Sequence, residues 1–214
     1  NRFFKTISGC IFPILGLMIA SGMIKGILTL LVTLGITASD GGIYQILYAG
    51  ADGLMYFMPI IIGFSAGKYF GGNPYLTAAL GAALVYPDII TLYNNGTSLS
   101  FAGIPVVLAS YANSVFPIIL ASWAESKVEK FWKKVIPDVI SMMFVPFMTL
   151  IVMVPVTFLV IGPIMTAVSN LLASGTEALW SLSPVIAGVI LGAFWQVIVI
   201  FGLHYAFVPS LVHN

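Results

Sequence analysis

Charge is scarce in this sequence. Lys and Arg together number 8 and Asp and Glu 7, which leaves charged residues at 7% of 214. A soluble domain carries about 25%, so a water-soluble fold lacks the polar surface it would need. The net charge of +1 comes with no basic tract, which excludes an electrostatic footprint for nucleic acid. Cys10 is the only cysteine, so no intrachain disulfide and no multi-cysteine metal site can form. It lies in an apolar segment and reads as a core residue rather than a reactive thiol. Soluble-enzyme motifs are missing too. There is no phosphate-cradling glycine loop, metal-ligand pair or nucleophile elbow, and Gly71-Gly72-Asn73-Pro74 reads as a turn because no Gly-Lys-Ser follows it. Neither a metal nor a cofactor is expected.

What the sequence has is apolar length. Apolar residues make up 60% and the mean hydropathy is +1.09. A membrane-spanning helix needs about 20 apolar residues. Candidate spans are Ile7–Leu34, Ile43–Ala66, Tyr75–Tyr93, Gly103–Ala124, Val139–Val168 and Leu179–Leu203. The first is too long for a signal-peptide core and is interrupted by Lys25. Pro146, Pro155 and Pro163 recur in an uncharged stretch from Val139 to Thr176. Kinked helices in lipid need neighbours to satisfy the carbonyls that proline frees, which argues for a bundle. The expected fold is therefore an all-α, polytopic transmembrane helical bundle of about six spans with one interfacial amphipathic helix. The start at Asn1 rather than Met, and the end at His213-Asn214, read as a fragment of a larger domain. Residues 1–138 are expected to form an N-terminal bundle and 139–214 the start of a C-terminal half.

Basic residues predict the orientation. Arg2 and Lys5 precede the first span, Lys68 follows the second, and Lys127, Lys130, Lys133 and Lys134 follow the fourth. The loops near Thr37–Gly42 and Asn94–Gly103 carry no Lys or Arg. This alternation places the N-terminus and both lysine-bearing segments in the cytoplasm. Ala124–Ile136 is the amphipathic stretch. Ala124, Val128, Phe131, Trp132 and Val135 share one helical face, while Glu125, Glu129, Lys130, Lys133 and Lys134 fall elsewhere. Glu129 and Lys133 form an i,i+4 pair. A helix lying at headgroup level is the plain reading, and a docking surface for a soluble partner is the functional one.

Few polar residues sit inside the apolar runs. Lys25 has three readings: snorkelling, pairing with Asp52, or facing a cavity. Asp88 falls at the outer end of the third span, and Glu177 precedes a helix whose dipole it complements. His204 ends the run from Val185 to Leu203. An imidazole there is costly without a partner, a cavity or the interface, so it points to a polar pathway. Trp195, Gln196 and Tyr205 lie near it in sequence. Aromatic platforms with amide and imidazole hydrogen bonders suit a sugar ring. Gln196 and His204, eight positions apart, share roughly one face of a continuous helix. A structural histidine bonded to a neighbouring helix stays open on composition alone.

Trp195-Gln196-Val197-Ile198-Val199-Ile200-Phe201-Gly202-Leu203-His204 resembles a block of the membrane domain, enzyme II C, of the bacterial phosphoenolpyruvate-dependent sugar phosphotransferase system. The likeness is strongest to the β-glucoside branch of its glucose superfamily. Asn73 to Gly81 with Tyr86-Pro87, Ile104 to Val107 with Tyr111 to Ile118, and Lys127 to Asp138 are similar to further blocks, in the family's order. The resemblance implies a multi-pass permease of the bacterial inner membrane, homodimeric through its N-terminal half. It would bind a sugar, carry it across, and hold it for phosphorylation by a phosphorylated enzyme II B domain. It also implies that His204 acts at the sugar site, hydrogen-bonding the hydroxyl to be phosphorylated and helping to remove its proton, with Gln196, Trp195 and Tyr205 as neighbours. The family's Ile-Thr-Glu-Pro segment, with its sugar-binding glutamate, is absent from these residues, and so is the B-domain cysteine motif. The expectation is half of a substrate site, inactive alone. Two other readings remain: a proton- or ion-coupled secondary transporter using His204 and Lys25, and a non-transporting scaffold.

Overall fold

The computed structural model describes residues 2–165 apart from 110, 113 and 114, and a few further positions as far as 175. Helix α1 (Arg2–Ile11) passes through a 3-10 turn at Phe12–Ile14 into α2 (Leu15–Thr33). Pro13 sits at the start of that turn, where its missing N–H costs little. Helices α3 (Gly42–Tyr56) and α4 (Met58–Phe70) meet at Phe57 with a bend of 47°. Pro59 opens α4 at a position where no intrahelical donor is needed. Next come α5 (Pro74–Leu84) and α6 (Pro87–Asn94), then a hairpin of β1 (Leu99–Phe101) and β2 (Ile104–Val106). Helix α7 (Phe116–Val135) and α8 (Asp138–Val156) follow, and α8 continues into a π-helical turn at Thr157–Ile161. The all-α bundle expected from the sequence is what these residues form.

Three helical stretches are long and apolar enough to cross a membrane: Lys5–Thr33, Pro74–Asn94 and Asp138–Met165. The bent pair α3–α4 makes a fourth if it is one span. These match the expected first, third, fifth and second segments. The expected span Gly103–Ala124 is not a helix over its first half. Ala102 and Gly103, with φ of 51° and 84°, form a two-residue hairpin turn, and Phe101 pairs with Ile104 across it. That left-handed pair matches the twist of the flanking strands, so the backbone is committed to a hairpin before any helix can begin. The third span is also broken. Tyr86 is extended ahead of Pro87, as a residue before proline must be, and α6 starts afresh. Asp88 thus lies in the first turn of α6, beside free N–H groups, rather than at the end of the span. The sixth expected segment, Leu179–Leu203, lies outside the described residues, as does Glu177.

Helix α4 is the hub. Glycines let α5 approach it backbone to backbone. A Cβ added at Gly63 would lie 2.6 Å from the Thr77 carbonyl oxygen, and one at Gly67 would lie 2.8 Å from the Pro74 Cα. One at Gly81 would lie 2.6 Å from the Pro59 carbonyl carbon and 2.9 Å from the Ile60 Cα. Gly63 and Gly67 are one turn apart, the small-residue spacing that lets helices pack in lipid, where apolar burial gives no driving force. Around this seam Cys10, Ile62, Ala66, Leu80, Leu84, Ile118, Ala121 and Met153 form one buried cluster. Cys10 is thus the core residue expected. Gly81→Ala should cost about 1–3 kcal/mol through overpacking against backbone that cannot yield, read as a lower melting temperature in detergent or nanodiscs.

Candidate functional site

The basic segments converge. Gly9 near the end of α1 packs against the ring of Tyr69 at the end of α4. The α4–α5 turn packs in turn on the lysine-rich half of α7. One end of the bundle therefore gathers Lys68 and Lys127–Lys134.

That turn is built by glycine and asparagine. Gly71 is left-handed at φ 68°, and the N–H of Gly72 reaches the Gly67 carbonyl at 3.0 Å. This closes α4 in the manner that glycine alone makes cheap. Asn73 then caps α5, its side-chain oxygen accepting from the N–H of Tyr75 at 3.0 Å. Helix α7 docks on the result. Lys130 Nζ donates to the Phe70 carbonyl at 3.2 Å, satisfying an end-of-helix acceptor. Glu129 accepts from the Asn73 N–H at 2.8 Å through one oxygen and from Lys133 Nζ at 2.7 Å through the other.

The buried side of α7 here is polar. Ser122, Glu125, Ser126 and Glu129 follow i, i+3, i+4, i+7 spacing and are each no more than 2% exposed. Part of the charged side of the expected amphipathic helix is thus buried against the α4–α5 turn. Phe131 and Val135 of the apolar row are exposed while Ala124 and Val128 pack against the core, and two of the charged residues are buried against the turn. For Glu129 the physical reason is that the Asn73 N–H needs an acceptor, which an apolar face cannot supply. Glu125 has no hydrogen-bond partner for either oxygen among the described residues. Burial, and then the Glu129 carboxylate beside it, push its carboxyl up to about 8, against the pull of Lys133 and Lys130. The sequence carried a signal that was missed: the serines and glutamates fall on one narrow stripe, not across a broad solvated face.

Lys25 of α2 pairs with Asp52 of α3, and its ammonium also lies 5.2 Å from the Tyr48 ring centre. Of its three readings, pairing is the one observed. Ser21 adds a second polar tie between the same helices, donating to the Ala51 carbonyl at 2.6 Å. The residues expected at the sugar site, Trp195, Gln196, His204 and Tyr205, all lie outside the described residues.

Eight helices among the described residues, with membrane-length segments and a lysine-bearing end, define a polytopic membrane domain. The profile of the family described as "Phosphotransferase system, EIIC" matches residues 8–213. Among curated relatives, a PTS system beta-glucoside-specific EIIBCA component from Halalkalibacterium halodurans is 45% identical over 100% of this chain and 36% of its own length. One of the same description from Dickeya chrysanthemi is 42% identical over 100% of this chain and 35% of its own. A PTS system sucrose-specific EIIBC component from Klebsiella pneumoniae is 34% identical over 97% of this chain and 46% of its own. No solved structure matches. The chain belongs to the phosphotransferase system EIIC family, integral membrane domains, and spans about a third of the beta-glucoside-specific relatives it matches.

Two variants should separate the roles of these contacts. Glu129→Ala leaves the Asn73 N–H without its acceptor and should cost about 1–3 kcal/mol, whereas Glu129→Gln keeps an acceptor and should cost under about 1 kcal/mol. Thermal unfolding of both in the same lipid reads the difference. At the α2–α3 pair, Lys25→Met with Asp52→Leu together should be more stable than either single change, because each single change strands a charge in lipid. A thermal-shift double-mutant cycle checks this.

Proposed function

We propose that this domain carries a sugar, a β-glucoside, across the bacterial inner membrane and presents it for phosphorylation by a phosphorylated enzyme II B domain. The observation that carries the reading is identity of up to 45% to beta-glucoside-specific EIIBCA components along the entire chain. The N-terminus is cytoplasmic in this reading, supported by the gathering of the lysine-bearing segments at one end of the bundle. The domain works as a homodimer, with residues 1–138 supplying the interface and 139–214 beginning the sugar-binding half. The large apolar side chains of α2 and α3 that face outward, Ile19, Met23, Ile27 and Ile46 among them, suit contact with lipid or a second copy.

In this mechanism the sugar hydroxyl attacks phosphorus, the cysteine sulfur of the B domain leaves, and the hydroxyl proton must go to a base. His204 is the proposed base, with Gln196 hydrogen-bonding the sugar and Trp195 and Tyr205 offering ring faces. Phosphoryl transfer depends mostly on positioning and charge stabilisation, so one well-placed imidazole matters. A proton- or ion-coupled transporter is not favoured. Lys25, which that reading places in an ion pathway, is paired with Asp52 on the α2–α3 hairpin.

The test is phosphorylation of a β-glucoside such as salicin by the full-length protein with phosphorylated B domain supplied. His204→Ala should lower the rate by about 100-fold or more while leaving the melting temperature and membrane insertion unchanged. Uptake of unmodified sugar in cells lacking the phosphocarriers would overturn the reading.

A further inference from the structure

The carboxyls of Glu125 and Glu129 meet at the same point of the α4–α5 turn. A Cβ added at Gly72 would lie 3.0 Å from Glu125 Oε2 and 3.2 Å from Glu129 Oε2. The two side chains are 0% and 1% exposed. Their partners differ sharply. Glu129 holds a backbone N–H and a lysine, whereas Glu125 has no donor on either oxygen among the described residues. A carboxylate buried without donors is costly, and a second carboxylate on the same backbone point makes it more so. The cheap state of Glu125 is the neutral acid, which is an uncharged filler beneath Gly72.

Among the described residues no other group compensates for it. On α7 itself the neighbouring charges are Glu129, Lys130 and Lys133, and both lysines are already engaged, with the Phe70 carbonyl and with Glu129. The turn Gly71 to Pro74 has no ionisable side chain. Lys68 directs its ammonium to the Phe64 ring, 4.7 Å from its centre. Tyr75 on α5 and Asp138 at the head of α8 are exposed.

We infer that Glu125 is a proton-binding site that latches the α4–α5 turn onto α7: with its proton bound the turn is seated, and loss of that proton releases it. On release Glu125 meets water and its carboxylate becomes stable. The sign follows from the carboxyl being held at about 8 in the seated state against 4.5 ordinarily. Proton binding therefore favours the seated turn most at low pH. That preference falls by up to about tenfold per pH unit through this window and levels off above it. The inference goes beyond the transport reading and does not depend on which sugar is carried.

The experiment uses the full-length protein in lipid nanodiscs. Infrared spectra should show a protonated carboxylic-acid band near neutral pH that fades as pH rises to about 9, and that is missing in Glu125→Gln. Spin labels at Lys68→Cys and Lys127→Cys, in a background with Cys10 and any cysteine elsewhere in the full-length protein replaced, report the turn. Their separation should lengthen and broaden over the same pH range with Glu125 present, and stay short in Glu125→Gln. Glu125→Met, apolar and similar in volume, should behave as Glu125→Gln does and serves if the amide variant folds poorly. An acid band that persists in Glu125→Gln, a label separation that ignores pH, or equal lengthening in wild type and variant would each overturn the latch.

Discussion

The approach of α5 to α4 is the constraint from which the rest of the described structure follows. Apolar burial does little to hold helices together in lipid, so close packing and polar contacts must do it. Gly63, Gly67 and Gly81 remove the side chains that would hold the two backbones apart. The helices then join through a turn of only three residues, 71–73, which glycine must begin. Within the turn the Gly71 and Gly72 N–H groups return to carbonyls of α4, and the Asn73 N–H is left to a neighbour, Glu129. The polarity of α7 is therefore not a surface property; it is the complement of a backbone turn.

That relation also explains the arrangement of charge at this end. Lysines that sequence patterning assigns to one side of the membrane do structural work as well. Lys130 satisfies the carbonyl that closes α4, and Lys133 shares Glu129 with Asn73. The membership of the chain in the EIIC family rests on residues 8–213, so this lysine-bearing end and the expected sugar-binding segment belong to one domain.

Much of the fold was legible in the sequence, because long apolar runs with rare charges have few other solutions. The spans near Ile7–Leu34, Ile43–Ala66 and Val139–Val168 are helical, and Cys10 is buried. Local backbone chemistry misled the rest. Hydropathy reads Gly103–Ala124 as a span, but the turn at Ala102-Gly103 outweighs hydropathy there. Pro87 interrupts the helix of the third segment, which nonetheless keeps the length and hydropathy of a span over Pro74–Asn94. Helical spacing put Phe131 and Val135 on one face, and both are exposed; the burial of Glu125 and Glu129 depends on a turn far earlier in the chain, whose Asn73 N–H donates to Glu129. Lys25 and Asp52 were readable as a pair because each is the lone charge in its apolar surroundings. The Trp195–Tyr205 block rests on family likeness.

The breaks in the first two spans have a mechanical corollary. The 3-10 turn at Phe12–Ile14 touches both α2 and α4, and the bend at Phe57 lies at the junction of α3 with α4. Both joints therefore adjoin α4. On one side α1 is bound to the rigid α4–α5 unit; on the other, α2 and α3 are tied to each other by Lys25–Asp52 and by Ser21. A hairpin attached in this way joins the α4–α5 unit at two chain crossings, neither of which runs through the glycine seam between α4 and α5.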